Sequence, residues 1–215
     1  MKLAPVFVVL LVSSAVPQCR AAGSPESLWM RASRLQDSLA RGSVRPQMPS
    51  EDLVRIAQWN MGRLARLEYE FAALETAVSN AEDRIRGFDG DPESLADIEV
   101  RLHFLRNAAA TESGRCRNLA EGMEFLLAKV KPPVEPGLAE TLRRQDAALR
   151  KFDSTVAAFQ KKASSLRLLA DQNGAALGPR ALGFASAFDQ AAGGLAGHMD
   201  RAKTASDRLL EHLDR

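Results

Sequence analysis

Cysteine is scarce. The 215-residue chain has two, Cys19 and Cys116. Cys19 falls in a segment read below as removed, so a disulfide framework is excluded. Histidine is limited to His103, His198 and His212. All three fall beside the helical seams described below, not on them. A haem or metal centre inside a bundle needs inward ligands, such as Glu-x-x-His pairs on facing helices, and none is present. A c-type haem motif is also missing. HExxH, GxSxG, CxxC, Walker-loop and GxGxxG patterns do not occur, and the many carboxylates sit at solvated helix positions. The sequence therefore predicts no enzyme, no cofactor and no metal. Asn-x-Ser/Thr is absent, so N-glycosylation is not expected. Aromatic residues make up 6% of the chain. No stretch combines alternation with β-branched enrichment, so no sheet is expected.

Abundance is concentrated in Ala, Leu, Arg and Glu, a composition that favours helix. The chain opens "MKLAPVFVVLLVSSAVPQCRAAG". Its apolar run, Leu3 to Val16, is shorter than the roughly 20 residues needed to cross a bilayer core. With Lys2 ahead of it, the run suits a cleavable secretory signal. A cut after Ala21 leaves Cys19 and Ala21 as the small residues at the site; a cut after Ala15 falls inside the apolar run. Lipidation at Cys19 is the rival reading, but Gln18 is large and polar where a small residue is wanted. Lys2 and Arg20 are the only charges before residue 22, so the exported chain balances 27 basic against 27 acidic residues. No basic stripe remains to displace counterions from a phosphate backbone, and nucleic acid is not expected as a partner.

Beyond the leader, Ser24 and Pro25 start a short helix with the stripe Leu28, Ala32, Leu35 and Leu39, ended by Gly42. Its Trp29 face suits the apolar start of the next segment, where Val54, Ile56, Trp59 and Met61 lie off the seam. Ser50 is placed to cap that segment. Its seam runs Leu53, Ala57, Asn60, Leu64, Leu67, Phe71, Leu74, Val78, Ala81, Ile85, Phe88. "DGDP" stops it, with Asp91 as cap and Pro92 as first helical residue of the next. The second seam runs Leu95, Ile98, Leu102, Leu105, Ala109, Glu112, Cys116, Leu119, Met123, Leu126, Val130. Steps of 3 and 4 without a break define a coiled-coil seam. Folded back at Asp89–Asp91, Ile85 meets Ile98, Leu67 meets Cys116, and Leu53 meets Val130. Flanking charges pair Glu70 with Arg115 and Glu75 with Arg106, while Arg84 opposes Arg101.

"KPPVEPG" breaks the helix. A third seam follows from Leu138 through Gln145, Phe152 and Phe159 to Ala170, and a fourth from Ala181 through Phe188, Ala192 and Ser206 to Leu213. "QNGAALGP" turns the chain between them, with Gly174 as C-cap and Pro179 restarting the helix. Large faces small in the Phe159–Ala192 and Ala163–Phe188 layers, and polar Gln145 meets polar Ser206. The predicted fold is all-α: two long antiparallel coiled-coil hairpins, docked as an up-down-up-down four-helix bundle, with a short N-terminal helix. The seven-residue linker makes the second and third helices neighbours in that arrangement; hairpins lying end to end are the alternative. The organisation is 1–21 signal, 22–49 short helix and linker, 50–131 first hairpin, 132–137 Pro-rich linker, and 138–215 second hairpin.

Three features bear on function. Cys116 on the seam packs as a small hydrophobe, since reactivity would need exposure. Glu112 and Asn60 interrupt the first seam; Glu112 needs solvent or a cation such as Arg115, and a polar seam residue fixes register. The stretch Ala181–Met199 contains one charged residue, Asp189. On it Gly183, Ser186, Gln190, Gly193 and Gly197 form a stripe of small and uncharged residues away from the seam. Docking of the two hairpins, a surface for another protein or a second copy, and membrane packing through the Gly193–Gly197 GxxxG are its three readings. The function these features imply is an exported, non-enzymatic bundle for protein–protein contact or a structural role. It would act in the periplasm or outside the cell, through an unidentified protein partner or self-association. A bundle that binds lipid or another apolar ligand is the alternative.

Overall fold

The computed structural model describes residues 48–213. The segment expected to be a leader, the expected short helix with Trp29 and most of the linker after it lie outside the described residues. Among those residues there are four helices and no strand: α1 (Ser50–Arg86), α2 (Pro92–Lys129), α3 (Pro136–Gln172) and α4 (Gly174–Leu213).

The helix ends follow local chemistry. Asp91 caps α2, its Oδ2 accepting from the Ser94 amide at 2.9 Å, and Pro92 begins the helix. Proline suits this position because its missing N–H has no helical partner there. Ser50, expected as a cap, lies inside α1 instead. Pro49 takes the N-cap position at φ −57°, ψ 141°, and its carbonyl accepts from the Asp52 and Leu53 amides. Gly174 is likewise not the C-cap of α3. Asn173 is, and its side-chain amide reaches back to the Leu169 carbonyl at 2.8 Å. That side-chain bond satisfies a terminal carbonyl, so no glycine is needed there. The left-handed backbone falls later, at Gly178 (φ 76°, ψ 171°), after which Pro179 restarts α4.

Seam residues from Leu53 to Ile85 and from Ile98 to Val130 are buried, and so are those from Leu138 to Ala170 and from Ala181 to Leu209. Phe88, Leu95 and Leu213 close the ends half-buried. Flanking ion pairs report the directions. In the first hairpin Arg84 reaches Asp97 near the turn and Arg115 reaches Glu70 farther along. In the second, Arg167 reaches Asp189 near the turn and Arg150 reaches Asp207 farther along. Each hairpin is therefore antiparallel. Arg84 and Arg101 do not simply repel, because both bind Asp97, at 3.5 and 2.8 Å. Glu75 pairs with Lys162 of α3, not with Arg106.

The hairpins pack side by side. α1 lies parallel to α3, joined by Glu68–Lys151 and Glu75–Lys162. α2 lies parallel to α4, joined by Glu99–Arg180 and Glu124–Arg201. The closely packed pairs are α1–α2, α3–α4, α1–α3 and α2–α4, the last being the most extensive. The expected neighbours α2 and α3 are not among them. The linker has the reach for this: six extended residues span about 20 Å at ~3.3 Å each. The diagonal of a bundle with axes 8–10 Å apart is only about 14 Å.

An aromatic chain crosses the core. Phe71 meets Phe152 at 5.2 Å and Phe159 at 4.9 Å between centroids, and Phe159 meets Phe188 edge-on at 5.7 Å. Ala192 and Ala163, the small partners expected opposite Phe159 and Phe188, are fully buried. Fully burying a Leu or Phe contributes about 1.5–3 kcal/mol, whereas a surface ion pair contributes about 0–1. The seams therefore hold the bundle, and the flanking charges orient it.

Candidate interaction surface

The Gly/Ser/Gln stripe of α4 does not dock the hairpins. Gly183, Gln190 and Gly197 are exposed, and Ser186 and Gly193 are half-buried. A β-carbon added at Gly183, Gly193 or Gly197 would meet nothing within 4 Å. Docking against α2 uses the adjacent face of α4 instead. Phe184 packs at a tilt against His103, ring centroids 5.0 Å apart, and a β-carbon on Gly194 would lie 3.3 Å from Ser113 Oγ. Asp189, the one charge in the stretch, turns toward α3 and bonds Ser164 and Arg167. Its burden of charge is thus removed from the stripe.

The outer face of α2 carries exposed apolar side chains of its own. Val100 and Phe104 are exposed at 68% and 57%, two of the few large apolar side chains left in solvent. One helical turn apart, they stand on the same side of α2. His103, Asn107, Ala110 and Thr111 are exposed around them. The two exposed faces belong to neighbouring helices, and the Glu99–Arg180 and Glu124–Arg201 pairs mark the boundary between α2 and α4.

Cations frame one end. The guanidinium groups of Arg106 and Arg180 lie 5.3 and 5.7 Å from the Phe184 ring centroid. Arg180 pairs with Glu99. Among the described residues Arg106 bonds Asn107 and His103 and pairs with no carboxylate. The sequence did not single out Val100, Phe104 or Phe184, and it placed His103 and Arg106 only as a histidine beside the seam and a partner for Glu75. The available signal was the spacing of Val100 and Phe104, apolar residues off the seam.

Other residues are not brought together into a site. His103 is exposed, His198 is half-buried beside α2, and His212 lies near the far end of α4. Burial first, then the charges of Arg201 and Arg117, holds the His198 imidazole below its usual range. No group of three or more His, Cys, Asp and Glu that could hold a metal occurs among the described residues. Cys116 is fully buried, and burial pushes its thiol up to about 12. Glu112 is buried on the seam; Arg115 binds its Oε1 at 2.6 Å, as its spacing suggests, and Oε2 has no partner. Between α1 and α3 runs an open groove of about 420 Å³, lined in part by Ala72, Ala158 and the Glu68–Lys151 pair. No described helix is long and apolar enough to cross a membrane. The chain matches no protein-family model, and no curated protein or solved structure is detectably similar to it.

Proposed function

We propose that this chain is an exported, non-enzymatic helical-bundle protein whose outer α2–α4 face binds another protein. The carrying observation is the exposure of Val100 and Phe104 on α2 together with an open stripe of glycines on α4. Contiguous exposed apolar surface marks interaction sites, and interface cores are depleted in charge and enriched in aromatic residues and arginine. Gly183, Ser186, Gln190, Gly193 and Gly197 give the partner close access to the α4 backbone. The leader sequence supports action in the periplasm or outside the cell after its removal. The up-down-up-down bundle carries this face on two packed helices.

The test is crosslinking capture of the mature chain from its native envelope or medium. Wild type is compared with Phe104→Glu, Gly193→Arg and a control, Tyr69→Glu, on the exposed side of α1. A partner lost with the first two variants and kept with the third, at unchanged helicity, supports the assignment. Retention in all three overturns it. Flotation on neutral vesicles checks the lipid-binding alternative, which requires the seams to open.

A further inference from the structure

One level of the core is polar. Asn60 on α1 and Gln145 on α3 are both fully buried, and Ser206 on α4 is 2% exposed. Asn60 and Gln145 hold equivalent places in their seams, since Leu64 follows one and Leu149 the other at the same spacing. Met123 and Ser206 are equivalent in the same way, preceded by Leu119 and Ala202. The four residues come from all four helices and converge. Asn60 Nδ2 approaches Met123 Sδ at 3.9 Å, and Gln145 Nε2 donates to the same sulfur. Ser206 Oγ donates to Asp146 Oδ1 at 2.9 Å. Asn60 Oδ1 and Gln145 Oε1 are left without partners.

This layer is a poor source of stability, because each unpartnered buried oxygen opposes folding. It is a good source of discrimination. If the second hairpin slid one heptad along the first, leucine would still face leucine at many levels. The amides would not find each other. Moved toward the α1–α2 turn, Gln145 would reach the level of Leu67 and Cys116, and Leu138 would face Asn60. Gln145 would then sit in hydrocarbon without the sulfur, while Asn60, which keeps Met123 of its own hairpin, would face Leu138 in place of the second amide. We infer that the Asn60–Met123–Gln145–Ser206 layer is a register lock that aligns the two hairpins at the expense of stability, as single polar seam residues do in coiled coils.

The experiment replaces the amides by apolar side chains of nearly the same shape, Asn60→Leu with Gln145→Met, in the full chain. Spin labels on cysteines at Arg66 of α1 and Lys161 of α3, both exposed, read the alignment by their separation. The measurement is made at high salt, where the flanking ion pairs are screened. Wild type gives one narrow distance. The double variant gives a second population displaced by one heptad, about 10 Å along the axis, together with a raised denaturation midpoint. A single unchanged distance, or a lowered midpoint, overturns the inference. If the double variant does not fold, Gln145→Met alone serves: the lock predicts the same second population in smaller amount, and an unchanged single distance overturns it.

Discussion

Asn60 Oδ1 lies against the backbone of Gly122 across the α1–α2 seam, so near that a β-carbon on residue 122 would sit 2.8 Å from it. The asparagine is fully buried and its amide nitrogen is turned toward Met123. The oxygen has no solvent to swing into. Gly122→Ala is therefore expected to lower stability. The overpacking penalty of about 1–3 kcal/mol exceeds the roughly 1 kcal/mol gained in helix propensity. Gly114→Ala, on the same helix with nothing within 4 Å, should gain up to about 1 kcal/mol. Urea midpoints at constant m-value separate the two. Equal gains at both positions would place Asn60 elsewhere.

Gly178 makes a second, opposite use of glycine. Its φ of 76° and ψ of 171° belong to a region that side chains with a β-carbon rarely enter. Gly178→Ala should cost about 1–3 kcal/mol, although no neighbouring atom crowds the position. Thermal melts of Gly178→Ala and Gly183→Ala should move in opposite directions. A neutral Gly178→Ala would mean that α4 continues through residue 178.

The seams were legible because burial in a rod-like bundle repeats with the helix itself. Leu67, Cys116, Phe159 and Ala192 could all be placed on buried faces by counting turns. The Glu112–Arg115 contact was legible for the same reason, since residues three apart share a face. Which helices are neighbours was not legible. A heptad seam shows that a face is covered, but Glu75 can be covered by α2 or by α3, and only the packed structure gives it Lys162. Linker length misled on this point, because six residues reach a diagonal as well as an edge. The stripe on α4 was half legible. Small residues there do meet α2, but at Gly194, one position round from Gly193, and the chosen stripe faces outward.

Glu112 and Arg115 allow a test of asymmetry. The carboxylate is buried, with one oxygen on Arg115 and the other unpaired, while Arg115 is 36% exposed and also near Glu70. Removing the cation leaves a buried charge uncompensated. Arg115→Ala should cost about 1–3 kcal/mol, less than a fully buried pair because the arginine is partly solvated. Replacing the carboxylate instead removes a half-satisfied charge, so Glu112→Leu should be neutral or stabilising by about 1–4 kcal/mol. Denaturation of both variants checks the order. A Glu112→Leu loss as large as that of Arg115→Ala would show that the core needs the charge.

Cys116 ties the packing to pH. Burial, then the nearby Glu112 charge, moves its thiol from an ordinary 9.0 to about 12. The neutral thiol is the form that the fold accepts. Above pH 9 the unfolded chain loses this proton while the folded chain keeps it, so stability falls as pH rises between about 9 and about 12. Below that window the group contributes no slope. Denaturation midpoints across the range should therefore decline more steeply for wild type than for Cys116→Ala, whatever the variant's absolute stability. The same burial makes the thiol unreactive in the native state. A thiol reagent at pH 8 should modify Cys116 only after denaturant is added. Rapid modification of the folded protein, or identical pH slopes in the two chains, would show that the thiol is not buried in the seam.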